Sequence, residues 1–74
     1  MPEIKVVTEV AGRVCALPVE AGNSIGNGDE IAFVEAMKME IPVLAEVDGV
    51  VSEVVVADGD VVNDGDPLVV IQRR

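Results

Sequence analysis

The strongest constraint on the fold of this chain is an internal repeat. When the 74-residue sequence is shifted by 37 residues, positions 3–35 align with positions 40–72 without a gap. Eleven of these 33 aligned positions are identical, and they include turn glycines as well as valines, so shared valine richness alone does not explain the match. We therefore expect two similar halves that pack about a pseudo-two-fold axis. The identical pairs are Glu3/Glu40, Ile4/Ile41, Val6/Val43, Glu9/Glu46, Val10/Val47, Gly12/Gly49, Val14/Val51, Val19/Val56, Gly22/Gly59, Gly28/Gly65 and Asp29/Asp66.

The pattern within each half predicts β-strands. Short runs rich in valine and isoleucine are separated by turns of glycine with asparagine or aspartate, the residues that tolerate positive φ angles. No segment has the 3.6-residue apolar period of a helix of useful length. Eight short strands with such turns predict an all-β structure that is closed or nearly closed. The predicted strands cover residues 3–8, 12–19, 24–25, 30–35, 39–46, 49–56, 61–62 and 67–72.

Each half also carries the same change of phase in its apolar positions. The step from Val14 to Leu17 is odd and the step from Leu17 to Val19 is even, and the second half repeats this pattern. A strict two-residue alternation cannot bury all three side chains, so we expect a β-bulge or a strong twist. The predicted core is Val14, Leu17, Val19, Ile25, Ile31, Phe33, Val51, Val54, Val56, Val62, Leu68 and Ile71.

Composition limits the classes of function. Five basic against fourteen acidic residues give a net charge of −9, which repels nucleic acid and anionic membranes and favours a monomer in isolation. One cysteine and no histidine exclude an internal disulfide framework and the usual zinc sites. The chain opens with no signal sequence, and no apolar run approaches membrane-spanning length. A lone Cys15 suits a reducing compartment, so we expect a cytoplasmic protein.

The stretch Ala36-Met37-Lys38-Met39 lies at the junction of the two halves. The pseudo-two-fold operation relates it to the place where the chain ends meet, so we expect this hairpin at one end of the fold and both termini at the other. An exposed lysine amine is protonated at neutral pH and is a poor nucleophile. Nothing nearby activates Lys38, so it fits a substrate of modification better than a catalytic lysine. The methionines have a structural alternative, because flexible thioethers can cover the end of a barrel.

These residues together resemble the biotinyl/lipoyl attachment domain, specifically the biotin carboxyl carrier domain of biotin-dependent carboxylases. Outside the tetrapeptide, the matching residues are Glu35, Gly28-Asp29, Gly65-Asp66 and Asp48-Gly49-Val50-Val51. The resemblance covers essentially the whole chain and implies one domain over residues 1–74. The implied fold is a flattened β-barrel or sandwich of two four-stranded antiparallel sheets with pseudo-two-fold symmetry, known as a barrel-sandwich hybrid.

The resemblance also assigns roles to the central residues. It implies that the amine of Lys38 forms an amide with biotin, and that a biotin protein ligase recognises Glu35, Ala36, Met37 and Met39. Lipoyl domains typically hold their lysine in an Asp-Lys-Ala setting, so the two methionines favour biotin. No catalytic residue and no metal ligand is expected.

The implied function is that of a non-catalytic carrier, which moves a carboxyl group from biotin carboxylase to carboxyltransferase. The chain lacks the Pro/Ala-rich linker of many such domains, which favours a free-standing carrier, and residues 19–23 leave no space for the thumb insertion of some acetyl-CoA carboxylase carriers. Two alternatives stay open: a lipoyl carrier domain modified at Lys38, and an unmodified acidic β-barrel adaptor for a basic partner. A self-contained enzyme is least favoured, because no nucleophile–base pair is evident.

Two other features have simpler interpretations. The acidic turns at residues 58–60 and 64–66 superficially resemble a calcium loop, but they lack its spacing and its terminal bidentate glutamate. Their counterparts in the first half are ordinary glycine turns, which favours turn chemistry. Cys15 aligns with Ser52, so packing is favoured over redox chemistry.

Overall fold

A computed structural model describes residues 3–73 and shows an all-β fold with no helix in that range. All eight predicted strands are present, and their ends differ from the prediction by at most three residues. The described residues extend over 36 × 18 × 17 Å. The strands are β1 (Glu3–Val7), β2 (Gly12–Ala16), β3 (Ser24–Ile25), β4 (Glu30–Ala36), β5 (Met39–Leu44), β6 (Gly49–Val54), β7 (Val61–Val62) and β8 (Pro67–Arg73).

The strands form two four-stranded antiparallel sheets, which confirms the predicted fold class. The terminal sheet has the order β1-β8-β6-β3, and the hairpin sheet has the order β5-β4-β2-β7. A shift of 37 residues converts one order into the other, because β1, β2, β3 and β4 correspond to β5, β6, β7 and β8. Each sheet therefore takes two strands from each half, so neither half can complete a sheet alone.

The symmetry extends to strand register and to irregularities. The pairing of β2 with β4 shifts between Val14 and Ala16, and the pairing of β6 with β8 shifts between Val51 and Glu53, which are the corresponding positions. These bulges lie within the segments where the phase change was predicted, so the bulge prediction is confirmed. Bulges bend a strand and increase its twist, which helps two short sheets to enclose one core.

Glycine is required at two places where strands approach closely. A Cβ atom on Gly12 would overlap the carbonyl oxygen of Glu35, and a Cβ atom on Gly49 would overlap that of Gln72. Both contacts are with backbone, which cannot rotate away as a flexible side chain can. Gly12 thereby lets β2 lie close beside the end of β4, immediately before the Lys38 hairpin.

Turns are closed by repeated side-chain caps. The Oδ1 atom of Asn23 accepts a hydrogen bond of 2.8 Å from the N–H of Glu20, and Oδ2 of Asp60 accepts the matching bond of 2.9 Å from Ala57. Asp66 caps its own turn in the same way, with its Oδ2 atom 2.8 Å from the backbone nitrogen of Asn63. The acidic turns therefore have a structural role, in agreement with turn chemistry. Among residues 3–73, no group of three or more histidine, cysteine or carboxylate side chains is arranged to hold a metal ion.

Eight of the twelve predicted core residues are buried, and four are not. Leu17, Val54 and Val56 are only partly buried and pack against the core from its edge. The prediction for Phe33 was wrong in a different way: it is half-buried on the outer face of the hairpin sheet, where it pairs with Pro42. The prediction missed six buried apolar residues, which are Val6, Ala32, Val34, Ala45, Val69 and Val70.

Thr8 is the one buried polar residue among those described, and its hydroxyl donates a 2.7 Å hydrogen bond to the carbonyl oxygen of Val10. The predicted position of the termini depends on Met1, Pro2 and Arg74, which lie outside the described residues. Nearby, Glu3 and Gln72 are register partners in the terminal sheet. Within residues 3–73, no helix is long and apolar enough to cross a membrane.

Candidate functional site: the Lys38 hairpin

The candidate site is the two-residue loop that joins β4 to β5. Ala36 and Met39 form the last register pair of the two strands, which leaves Met37 and Lys38 as the loop. Their φ angles are 53° and 65°, so both lie in the left-handed region, as in a type I′ turn. This turn matches the twist of a β-hairpin but normally uses asparagine and glycine. Residues with a Cβ cost about 1–2 kcal/mol each in this conformation, so the loop is strained at the predicted modification site.

All three residues of the Met-Lys-Met sequence are exposed. Met37 is 93% exposed, Met39 is 63% exposed, and Lys38 lies between them on the surface. Neither methionine is positioned to seal the end of the barrel, which argues against the structural alternative for these residues. The amine is therefore displayed between two unburied thioether side chains that a partner can contact.

The base of the hairpin is charged. Glu35 in β4 is directly opposite Glu40 in β5, and on its other side Glu35 is directly opposite Arg13 in β2. Directly opposed side chains have Cβ atoms about 4.5–5.5 Å apart, and like charges at this distance are destabilising. The guanidinium of Arg13 offsets part of this repulsion. Glu40 lies two residues from Lys38 but was not predicted as a site residue, and neither was Arg13, whose proximity to Glu35 depends on cross-strand register.

Cys15 lies close to this base but is not a reactive centre. Its Sγ atom donates a hydrogen bond of 3.4 Å to the carbonyl oxygen of Phe33. Partial desolvation, followed by the negative charges of Glu40 and Glu35, raises the pKa of the Cys15 thiol above its ordinary value. A thiol with a raised pKa is a weak nucleophile at neutral pH. Ser52 makes the equivalent bond of 3.2 Å to Val70, which fits the packing interpretation.

The arrangement can present an amine, but it contains no machinery to activate one. The predicted residues Glu35, Ala36, Met37, Lys38 and Met39 are contiguous in the hairpin and its last strand residues. The hairpin fixes the backbone of Lys38, while its four-carbon stem is free to swing. This geometry suits a lysine that other enzymes modify and use.

Comparison with known proteins places the chain in a family. Residues 1–71 match the family model described as Biotin-requiring enzyme, the biotin/lipoyl domain family. The match covers nearly the whole chain, so the chain belongs to this family. The resemblance inferred from the tetrapeptide and the repeat is thereby confirmed.

Two curated relatives match over a shorter segment. A Biotin/lipoyl attachment protein of Bacillus subtilis is 46% identical over 35 residues, which is 47% of this chain and 48% of that protein. A Biotinylated protein TB7.3 homolog of Mycolicibacterium smegmatis is 48% identical over 35 residues, which is 47% of this chain and 49% of that protein. The chain thus aligns with about half the length of these relatives.

Solved structures share the complete fold. A single-chain, multi-domain long-chain acyl-CoA carboxylase matches with a TM-score of 0.92 and 32% identity, over 97% of this chain and 7% of that one. The urea carboxylase of Kluyveromyces lactis matches with a TM-score of 0.90 and 30% identity, over 97% of this chain and 6% of that one. The chain therefore corresponds to a small part of each large enzyme, in keeping with a biotin carboxyl carrier role.

Proposed function

We propose that Lys38 is the attachment point of biotin and that the chain carries carboxyl groups on that biotin. The main support is the two-residue loop, which holds the exposed Lys38 in a strained left-handed conformation between exposed methionines. A strained backbone at an exposed lysine is difficult to explain by folding alone, because asparagine or glycine would form the same turn at lower cost. The family's biotin requirement supports the choice of cofactor.

The exposed Lys38 and its hairpin fit a covalently attached biotin. Amide formation joins Nζ of Lys38 to the carboxyl carbon of biotin. The amine loses a proton, and the biotin carboxyl, activated beforehand in a ligase-catalysed step, loses its leaving group. Once attached, biotin supplies a ureido nitrogen that can carry a carboxyl group. The protein's own contribution is positional: paired strands hold the Cα atom of Lys38, and the flexible stem allows the attached group to move between enzymes.

The partners follow from this role. We propose that a biotin protein ligase modifies Lys38, that a biotin carboxylase loads the carboxyl group, and that a carboxyltransferase unloads it. The multi-domain carboxylases with which the chain shares its fold support partners of this kind. We propose that the chain itself is non-catalytic, monomeric in isolation and located in the cytoplasm.

Intact-mass measurement after co-expression with a biotin protein ligase tests the attachment. The chain has only two lysines, Lys5 and Lys38, so Lys5→Arg is a matched control for Lys38→Arg. Wild type and Lys5→Arg should gain one biotinyl group, and Lys38→Arg should gain none. A wild-type chain that stays unmodified under conditions that modify a known carrier contradicts the proposal.

Lipoylation is the second candidate, because one relative is a biotin/lipoyl attachment protein. The same mass measurement with a lipoate ligase separates the two cofactors, and we expect no lipoyl group on the wild-type chain. Replacing Met37 with Asp and Met39 with Ala should shift preference towards lipoate.

A further inference from the structure

The outer faces of the two sheets have the same register but different chemistry. Side chains alternate between the two faces of a strand, so residues paired across strands share a face. In the hairpin sheet, Phe33 is flanked by Pro42 and Ala16. In the terminal sheet, the corresponding row is Val70 flanked by Lys5 and Glu53.

This difference decides how much apolar surface each face shows. Val70 is only 9% exposed, and its register partners Lys5 and Glu53 have side chains long enough to lie over it with their aliphatic parts. Pro42 and Ala16 are too short to cover the larger Phe33, which remains half-buried. Phe33 is the only aromatic residue in the chain. A partly exposed aromatic side chain on one of two otherwise equivalent faces favours a contact surface there.

The next row of cross-strand partners, two residues closer to the Lys38 hairpin along β4, differs in charge between the two sheets. In the hairpin sheet this row contains two glutamates, one arginine and an exposed valine. The equivalent row of the terminal sheet contains a single charged residue. The hairpin-sheet row is Glu40, Glu35, Arg13 and Val61, and the terminal-sheet row is Glu3, Gln72, Val50 and Ser24. Val61 is 74% exposed, so apolar surface continues beyond Arg13.

The two rows combine into one surface, which we name the hairpin-sheet face: an apolar centre at Phe33 and Pro42, bordered by Glu35, Glu40 and Arg13. The carboxylates outnumber the guanidinium, and the opposition of Glu35 to Glu40 is unfavourable within the isolated domain. A cationic side chain of a partner placed between these carboxylates would relieve that repulsion. Charge complementarity therefore favours a partner that offers a cation beside an apolar group.

We propose that the hairpin-sheet face is the surface on which the biotin protein ligase docks, an inference that rests on the proposed biotinylation of Lys38. The ligase is favoured over the carboxylase subunits because it acts before biotin is present and can recognise only the polypeptide. It must also distinguish Lys38 from Lys5, and the hairpin-sheet face continues directly from β4 and β5 into the loop that carries Lys38. The partner surface is expected to place an Arg or Lys against Glu40 and an apolar side chain against Phe33.

The internal symmetry supplies a matched control. Glu40 and Glu3 are the same residue type at equivalent, exposed positions in the two sheets. Glu40→Lys should raise the KM of the ligase for the chain by about tenfold, because it opposes a like charge to the partner's cation, and should change kcat less. Glu3→Lys should change KM by less than about twofold, because a charge outside an interface acts only through screened long-range attraction.

A second pair of variants tests the apolar centre without removing Phe33. The double variant Pro42→Lys with Ala16→Glu gives the hairpin sheet the flanks of the terminal sheet, and should raise KM by covering Phe33. The double variant Lys5→Ala with Glu53→Ala makes the reverse change on the terminal sheet, because it removes the long side chains beside Val70, and it should leave KM unchanged. Thermal unfolding of each variant, measured alongside, shows that a change in KM does not come from loss of fold.

Binding of a Lys38→Arg chain to the ligase separates docking from modification. The double variant Lys38→Arg with Glu40→Lys should bind the ligase about tenfold more weakly than the Lys38→Arg chain does. The double variant Lys38→Arg with Glu3→Lys should bind as tightly as the Lys38→Arg chain. Equal effects of Glu40→Lys and Glu3→Lys, or no effect of either, overturn the docking proposal. Failure of the biotinylation proposal itself is recognised differently, by the absence of a mass increase on the wild-type chain.

Discussion

The hairpin sheet and the terminal sheet are two copies of one architecture, and they agree wherever the fold is held together. The bulges, the close-approach glycines Gly12 and Gly49, and the hydrogen bonds from Cys15 and Ser52 to the neighbouring strand all occur twice. Features that occur in both sheets are therefore explained by folding. Features that occur in only one sheet need a different explanation.

The differences are concentrated at one end of the hairpin sheet. The strained loop at Met37 and Lys38, the opposed pair Glu35 and Glu40, and the half-buried Phe33 have no counterpart of the same chemistry in the terminal sheet. The strained loop and the opposed carboxylates are unfavourable for stability, so folding alone does not explain them. An internal repeat thus works as a built-in control, because it separates residues that maintain the fold from residues retained for function.

The largest expected effects fall on the core and should be equal in the two halves. Ile31 and Leu68 are equivalent positions and are both completely buried. Ile31→Ala and Leu68→Ala should each lower the free energy of unfolding by about 2–5 kcal/mol, through lost apolar burial and the cavity left behind. Urea denaturation monitored by circular dichroism measures both. A difference between the two variants larger than about 3 kcal/mol, the width of this range, would break the energetic equivalence of the halves.

The close-approach glycines should show equal stability effects but unequal functional effects. Gly12→Ala and Gly49→Ala each force a Cβ atom against a backbone carbonyl, which should lower the free energy of unfolding by about 1–3 kcal/mol. Gly12→Ala also displaces Glu35, immediately before the hairpin, and should slow biotinylation of Lys38. Gly49→Ala displaces Gln72 and should not slow it. Denaturation measures the stability of both variants, and initial rates of biotin transfer are measured under conditions where both are folded. If Gly49→Ala slows biotinylation as much as Gly12→Ala does, the prediction is contradicted.

The sequence predicted most of the fold because its signals are local. Valine runs between glycine turns define the strands, and the repeat then imposes one arrangement on both halves. Phe33 could not be placed correctly, because it lies in the continuous apolar run from Ile31 to Val34, where alternation cannot be read. A register shift between Glu30 and Ala32 lets both Ile31 and Ala32 face inward, and this shift turns Phe33 outward.

The candidate site likewise contains some features that the sequence predicted and others that it could not predict. The loop residues were predictable because the tetrapeptide is contiguous and lies between the aligned halves. Glu40 lies two residues from Lys38 in the sequence, and the predicted hairpin already places it opposite Glu35. Arg13 could not be assigned to the site, because only strand register brings it beside Glu35. The positive φ angles of Met37 and Lys38 were equally inaccessible, since neither residue type indicates a left-handed conformation.

A smaller effect should separate stability from function within the loop itself. Met37→Asn places a residue that tolerates positive φ at the first loop position, so the free energy of unfolding should rise by about 0.5–1 kcal/mol. The same change removes an exposed thioether that the ligase is expected to contact, so KM for biotinylation should rise. Denaturation and ligase kinetics on one preparation measure both quantities. A variant that is more stable and equally well biotinylated would show that the strain at Met37 has no functional reason.

The smallest effect concerns Cys15, whose side chain differs from that of its equivalent, Ser52, only by sulfur in place of oxygen. Because the pKa of this thiol is raised in the folded chain, the folded state disfavours the thiolate. The resulting stabilisation is complete below the ordinary thiol pKa and is lost as the pH rises through the higher folded value. Cys15→Ser copies Ser52 and removes the titrating group, so its stability should decline less than that of wild type above about pH 8.5. Chemical denaturation of both chains between pH 7 and pH 10 measures the difference, and parallel pH profiles would show that neither desolvation nor the nearby carboxylates raise the pKa of this thiol.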